Sequence, residues 1–178
     1  MAERGVFISA DDAIGIGLYY TRTPGIGGRI RQEIDDFCVE ELTNRIEAAN
    51  GNYLIVELIK RNWDTHHLIR ELSRILRVSQ NRFGWAGTKD KRALTSQKIS
   101  IWDLGEEELA RVRLKDVELK VIGRSNKKIS LGDLWGNKFK ITVRGIDLPA
   151  EETISRVKAI RGELEKGAPN FFGVQRFG

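Results

Sequence analysis

Three observations predict an α+β fold with a mixed, largely antiparallel sheet flanked by helices. Apolar runs of strand length recur along the chain, the most continuous at residues 53–59. A second periodicity, that of an amphipathic helix, governs residues 68–76. No repeat or low-complexity linker interrupts the 178 residues, so the length favours one domain and allows at most two small ones. With 40 % apolar and 31 % charged residues, the chain has enough apolar surface to offset the entropy of ordering.

The elements follow in order. Gly25 to Gly28 reads as a loop. Residues 28–42 suggest extended structure carried by Ile30, Phe37 and Val39 and broken by Asp35 and Asp36. Asn50-Gly51 is a turn signal. It opens residues 53–59, a run suited to a strand buried on both faces. Asp64 and Thr65 offer an N-cap. Leu68, Ile69, Leu72, Ile75 and Leu76 then recur at helical spacing, which predicts a helix to about Arg77. Residues 83–95 are rich in Gly and charge and read as a loop. Strands are expected at 98–102, 117–122 and 138–144, and a short helix at 106–112. A longer helix fits 149–166, with Pro149 and Glu151 in its first turn and Gly167 at its end.

Several function classes are set aside at this stage. No stretch approaches the roughly 18 apolar residues of a membrane helix. The apolar stretch before Asp11 and Asp12 is too short for a secretory signal, so the chain is expected in the cytoplasm. The single cysteine, Cys38, allows no internal disulfide, and with two adjacent histidines it falls short of a structural zinc site. Cys38 is expected as a buried, inert thiol. His66 and His67 point about 100° apart on a helix and read as first-turn surface residues. The Gly15-Ile16-Gly17 and Gly25-Ile26-Gly27-Gly28 runs lack the third glycine of a dinucleotide loop, and no Gly-Lys-Ser/Thr follows.

The net charge of +5 and pI near 9.4 are weak signs of an anionic partner, but the distribution says more. Between Lys60 and Lys98 stand ten basic residues against three acids, a local balance of +7 that leaves −2 for the rest. In the run Lys138 to Arg144, Phe139, Ile141 and Val143 fall on one face of a strand, with Lys138, Lys140 and Arg144 on the other. Each feature alone fits a solvated face. Together they make a nucleic-acid backbone a reasonable partner.

One loop concentrates chemistry. In Gly84-Trp85-Ala86-Gly87-Thr88-Lys89-Asp90-Lys91-Arg92, a single carboxylate sits among cations that favour its ionised form and would attract phosphates. Its glycines would let the backbone approach a ligand. Such an aspartate suits a nucleophile or base acting on a nucleic acid, and it equally suits a structural ion pair. The run Asn170-Phe171-Phe172-Gly173-Val174-Gln175-Arg176 sets aromatics beside amide and guanidinium groups, which can stack on a base and read its edge or can plug a core.

Three segments carry a family resemblance. They are Gly27-Gly28-Arg29-Ile30-Arg31 followed by Asp35-Asp36-Phe37-Cys38-Val39-Glu40-Glu41; Lys60, Asn62, Asp64 and Thr65 leading to Ala86-Gly87-Thr88-Lys89-Asp90-Lys91-Arg92-Ala93 with Thr95 and Gln97; and Asn170 to Gly178. In this order they resemble the TruD family of tRNA pseudouridine synthases, archaeal type, over about residues 15–178. The family usually has Lys at the position of Arg31 and Pro at that of Ile34. Its members also continue well past the third segment, so the chain is expected to be the N-terminal part of the catalytic domain. The inserted second domain and the rest of the catalytic fold would then be absent.

The resemblance implies a pseudouridine synthase fold, incomplete at the C-terminus. It implies isomerisation of a uridine in tRNA, uridine 13, without cofactor or metal and without an obligatory protein partner. Asp90 takes the place of the essential aspartate. Arg31 and Lys89 would sit near the nucleotide or Asp90, and Phe37 would line the pocket. Phe172 would stack on the flipped base, with Asn170 holding the loop or contacting the base. Lys91, Arg92, Gln175 and Arg176 complete the expected RNA contacts. The alternative is a non-catalytic RNA-binding module or an inactive fragment of such an enzyme.

Overall fold

The computed structural model describes residues 20–168. They fall in two compact units, Arg29–Arg144 and a second drawn from Met1–Gly28 and Gly145–Gly178. In the second, α3 (Ala150–Leu164) follows Pro149 at its N-cap. The chain turns away at Gly167, whose φ of 112° favours glycine. Glu163 of α3 accepts hydrogen bonds from the backbone and hydroxyl of Thr23. Among the described residues no helix is long and apolar enough to cross a membrane.

The larger unit is a sheet of β1 (Phe37–Leu42), β2 (Tyr53–Arg61), β3 (Phe83–Trp85), β4 (Leu94–Trp102), β5 (Val117–Ser125) and β6 (Gly136–Ile141). Their order is β5-β2-β4-β1-β6, with β3 paired to β4. Only β1 and β4 run parallel; the other pairings are antiparallel. This is the expected α+β architecture. The helix α1 (Thr65–Leu76) covers one face, and a short α2 (Glu106–Leu109) adds Leu109 to the core.

Strand periodicity decides what each face carries. Register aligns Leu54, Val56 and Leu58 of β2 with Ile101, Ile99 and Gln97 of β4, and the apolar residues of this set form one core cluster with Leu68, Ile69 and Leu72 of α1. Asp64 caps α1 by accepting from the His67 amide at 2.8 Å, and Arg77 closes it at φ 56°. Each hydrophobe buried here contributes roughly 1.5–3 kcal/mol. Further along the same face, Lys60 stands opposite Thr95, and Val39 and Phe37 of β1 line up beside them with Phe139 and Ile141 of β6.

Some expected boundaries move. Residues 83–85 form β3 rather than loop, since Phe83 and Trp85 alternate onto the core face opposite Ile101 and Ile99. Gly84 therefore serves packing, not a ligand: a Cβ there would lie 2.3 Å from the Ile129 carbonyl oxygen and 2.7 Å from Ser100 Oγ. The strand expected from Lys98 begins at Leu94, because Thr95 and Gln97 are buried polar residues rather than loop. The last strand ends at Ile141, and Arg144 instead bridges Arg29 and grips Asp36. The short helix stops at Leu109, where Arg113 donates to the Ala110 and Val112 carbonyls. Cys38, expected buried, is half-buried on the face away from α1.

Candidate active site

Asp90 lies in the irregular segment between β3 and β4, at the end of the sheet where the apolar core gives way to polar side chains. Three neighbouring elements hold this segment. From β1, the buried Glu41 carboxylate accepts from the Lys89 ammonium at 2.6 Å. From the first turn of α1, the Thr65 hydroxyl accepts from the Lys89 amide at 3.1 Å and donates to the Lys89 carbonyl at 3.3 Å. From β2, the Lys60 ammonium donates to the carbonyls of Asp90 at 2.9 Å, Lys89 at 3.3 Å and Trp63 at 2.7 Å. Gln97 adds a bond to the Gly87 carbonyl at 3.0 Å.

The main chain is thus fixed while the Asp90 carboxylate faces outward, 45 % exposed. Its one charged partner among the described residues is Arg31, at 3.1 Å. Arg31 has a φ of 57° and lays its guanidinium over the Phe37 ring, 3.8 Å from the centroid. Phe37 is buried, and Phe139 meets it edge-on at 5.9 Å. A carboxylate, a cation and an aromatic floor therefore share one sheet face, with Phe139 and Ile141 exposed beside them.

The expected residues sort into groups. Asp90, Arg31 and Phe37 come together, and Lys91 and Arg92 stand exposed beside Asp90. Lys89 is a correction: its ammonium is buried on Glu41, so it braces the loop rather than offering a surface charge to RNA. Asn170, Phe172, Gln175 and Arg176 lie outside the described residues. Lys138 and Lys140 project from the opposite face, where with Cys38, Glu40, Glu57 and Ser96 they border a groove of about 300 Å³. Lys138 there pairs with Glu40. His66 and His67 are exposed in the first turn of α1, beside Trp85 and Trp63.

The basic window is likewise partly internal. Arg61 pairs with Asp35, Arg74 with Glu71, Arg82 with Asp103 and Lys98 with Glu47, while Lys60 is wholly buried. Arg70, Arg77, Lys91 and Arg92 form no ion pair with a described acid. Burial pushes the Lys60 pKa down to about 8, against the opposing pull of the Asp64 and Asp90 charges. Lys60, Glu41 and Thr65 were missed as site residues although parity exposes the first. Lys60 follows Leu54, Val56 and Leu58 at intervals of two and must share their buried face.

An outward carboxylate held by an arginine above an aromatic floor, with the exposed cations Lys91 and Arg92 beside it, is the cluster that the structure assembles from the expected site residues. The comparisons with known proteins narrow this. The family described as tRNA pseudouridine synthase D (TruD) matches residues 13–178, and the chain belongs to that family. A relative from Methanococcoides burtonii bearing the name tRNA pseudouridine synthase D is 60 % identical over 172 residues, covering 96 % of this chain and 39 % of its own. One from Methanosarcina mazei is 62 % identical over 167 residues, covering 93 % and 38 %. A crystal structure of the Methanosarcina mazei TruD superposes with a TM-score of 0.90 at 60 % identity, covering 94 % of this chain and 39 % of that one. The chain therefore shares the fold of the matching part and spans about 39 % of that relative's length.

Proposed function

We propose that this chain carries the N-terminal part of the catalytic domain of a tRNA pseudouridine synthase, an isomerase that converts uridine 13 of tRNA to pseudouridine without a cofactor. The observation that carries the reading is the Asp90 carboxylate, exposed and 3.1 Å from Arg31 on a backbone braced from β1, β2 and α1. Family membership supports the reaction class.

A stacked base is out of reach, so the nucleotide must flip out at a cost of about a few kcal/mol. Asp90 then acts at the ribose, by attacking C1′ as uracil leaves with the bonding pair or by promoting elimination to a glycal. The freed uracil turns and C5 bonds to C1′ as the Asp90–C1′ ester bond breaks and the carboxylate is regenerated, or, from the glycal, as C2′ regains the proton it lost. The C5 hydrogen then leaves to solvent and N1 takes up a proton. Arg31 holds the carboxylate toward the substrate. Phe37, already covered by Arg31, forms the floor of the pocket, and Lys91 and Arg92 meet the flanking phosphates.

Tritium release from tRNA transcribed with [5-³H]uridine tests this, since each turnover frees the C5 hydrogen. Asp90→Asn should abolish release while tRNA binding stays within a few-fold. Turnover at the wild-type rate by this variant would refute the assignment of Asp90. Salt-sensitive binding without release from the unaltered chain would favour the RNA-binding reading, with chemistry that needs more of the protein.

A further inference from the structure

Among the described residues Lys60 is the largest wholly buried side chain and makes no contact with solvent. A buried cation is costly unless every proton finds an acceptor. Here the Nζ reaches three main-chain carbonyls, at 2.7, 2.9 and 3.3 Å. An ammonium has three protons for three acceptors. Two of those acceptors belong to Lys89 and Asp90, the third to Trp63, which leads into α1. Lys60 bonds the main chain and leaves the carboxylate to Arg31.

We infer that Lys60 is a positioning residue for Asp90: its buried ammonium fixes the backbone that carries the carboxylate and so sets the catalytic rate without touching RNA. The inference rests on the reading of Asp90 as the catalytic group. Thr65 and Glu41 secure Lys89, but among the described residues the Asp90 carbonyl is held by Lys60. Without it, the Asp90 carboxylate is still present but its main chain loses this anchor and with it the orientation of the side chain. A misplacement of 1 Å at such a group costs about a hundredfold in rate.

The same geometry gives a pH dependence. A neutral amine has two protons for three carbonyls, so the brace is complete while Lys60 is charged. Its charged neighbours are Asp64 at the α1 cap, Asp90 and Lys89 in the loop, with Glu41 of β1 behind Lys89. With the pKa lowered to about 8, the brace is present below that pH and is lost as pH rises through it. The catalytic rate should fall on an alkaline limb.

The test is steady-state tritium release by wild type, Lys60→Met, Lys60→Arg and Asp90→Asn. Lys60→Met should lower kcat about a hundredfold while KM for tRNA stays within about threefold. A kcat within twofold of wild type, or a loss confined to KM, overturns the inference. Lys60→Arg, charged throughout, should recover part of kcat and lack the alkaline limb; an unchanged limb counts against Lys60. If neither variant folds, a carbon-13 lysine titration of the wild type decides. One lysine must titrate with the kcat limb, and a mismatch beyond about one pH unit overturns the inference. Asp90→Asn separates the two readings. If it retains turnover, the reading of Asp90 fails; if it is inactive while Lys60→Met is fully active, only the positioning role fails.

Discussion

Glu41→Ala is the sharpest test of how the site is held. Glu41 and Lys89 form an ion pair at 2.6 Å with side chains only 2 % and 4 % exposed. Truncating the acid strands a buried ammonium, and breaking such a pair costs about 3–5 kcal/mol. The folding equilibrium then shifts by roughly 10² to 10⁴. At about 2–4 °C per kcal/mol for a chain of this size, the melting temperature should fall by roughly 6–20 °C. Glu41 also accepts from the Lys98 amide at 3.3 Å, a long bond that adds little. The double variant Glu41→Leu with Lys89→Met fills the same space without charge and should recover most of the loss. Urea unfolding followed by tryptophan fluorescence reads both, since Trp63 and Trp85 pack against the core. A single-variant cost below about 1 kcal/mol, the range of an exposed pair, would refute the buried-brace argument. So would a double variant no more stable than Glu41→Ala.

Two further outcomes follow from the same geometry. The Glu33 backbone amide and then the Arg144 guanidinium hold the Asp36 carboxyl below its ordinary value of 3.8. Its stabilisation is therefore present above that value and lost as pH falls through the lower folded-state pKa. Asp36→Asn should melt lower than wild type near neutral pH and converge with it in acid; parallel melting curves across pH would contradict this. Replacing Lys91 and Arg92 by Ala should flatten the salt dependence of tRNA binding by roughly 1.5–2 units of slope. The pair Lys138 and Lys140, on the reverse face, should leave the slope unchanged, and filter binding across a salt series checks both.

The fold was largely legible because periodicity reports packing. The residues 53–59 run and the Leu68-Ile69-Leu72 spacing are statements about which side chains leave water, and β2 and α1 follow them. Misreadings fall where a polar residue is buried for reasons outside its own segment. Thr95 falls in the expected loop and Gln97 before the expected strand, yet both lie within β4, where register sets them beside Lys60 and Leu58 of β2 on the buried face. Gly84 looks like flexibility and is a steric requirement set by Ile129, 45 residues later. No local pattern carries that information.

The site divides along the same line. Asp90 could be singled out because a lone carboxylate among cations is unusual within one loop. Which of those cations serve it could not be read locally, since Lys89 and Lys91 flank it alike in sequence and end in opposite environments. Lys89 turns inward to Glu41 and Lys91 outward to solvent. The partner of Lys89 lies 48 residues upstream, on β1. There the polar end of the core face is assembled from three strands, with Glu41, Lys60, Thr95 and Gln97 all brought to one layer by register. The apolar part of that face supplies the stability that lets this layer sit in low dielectric. Within this layer Lys60 and the Gln97 amide donate to main-chain carbonyls of residues 87–90, and Glu41 accepts from the Lys89 ammonium, while Thr95 Oγ1 and Gln97 Oε1 have no hydrogen-bond partner among the described residues. On the proposed reading, the loop carries the Asp90 carboxylate at the surface on a main chain fixed by charges buried beneath it, and among the described residues Arg31, Lys91 and Arg92 are the cations left beside it.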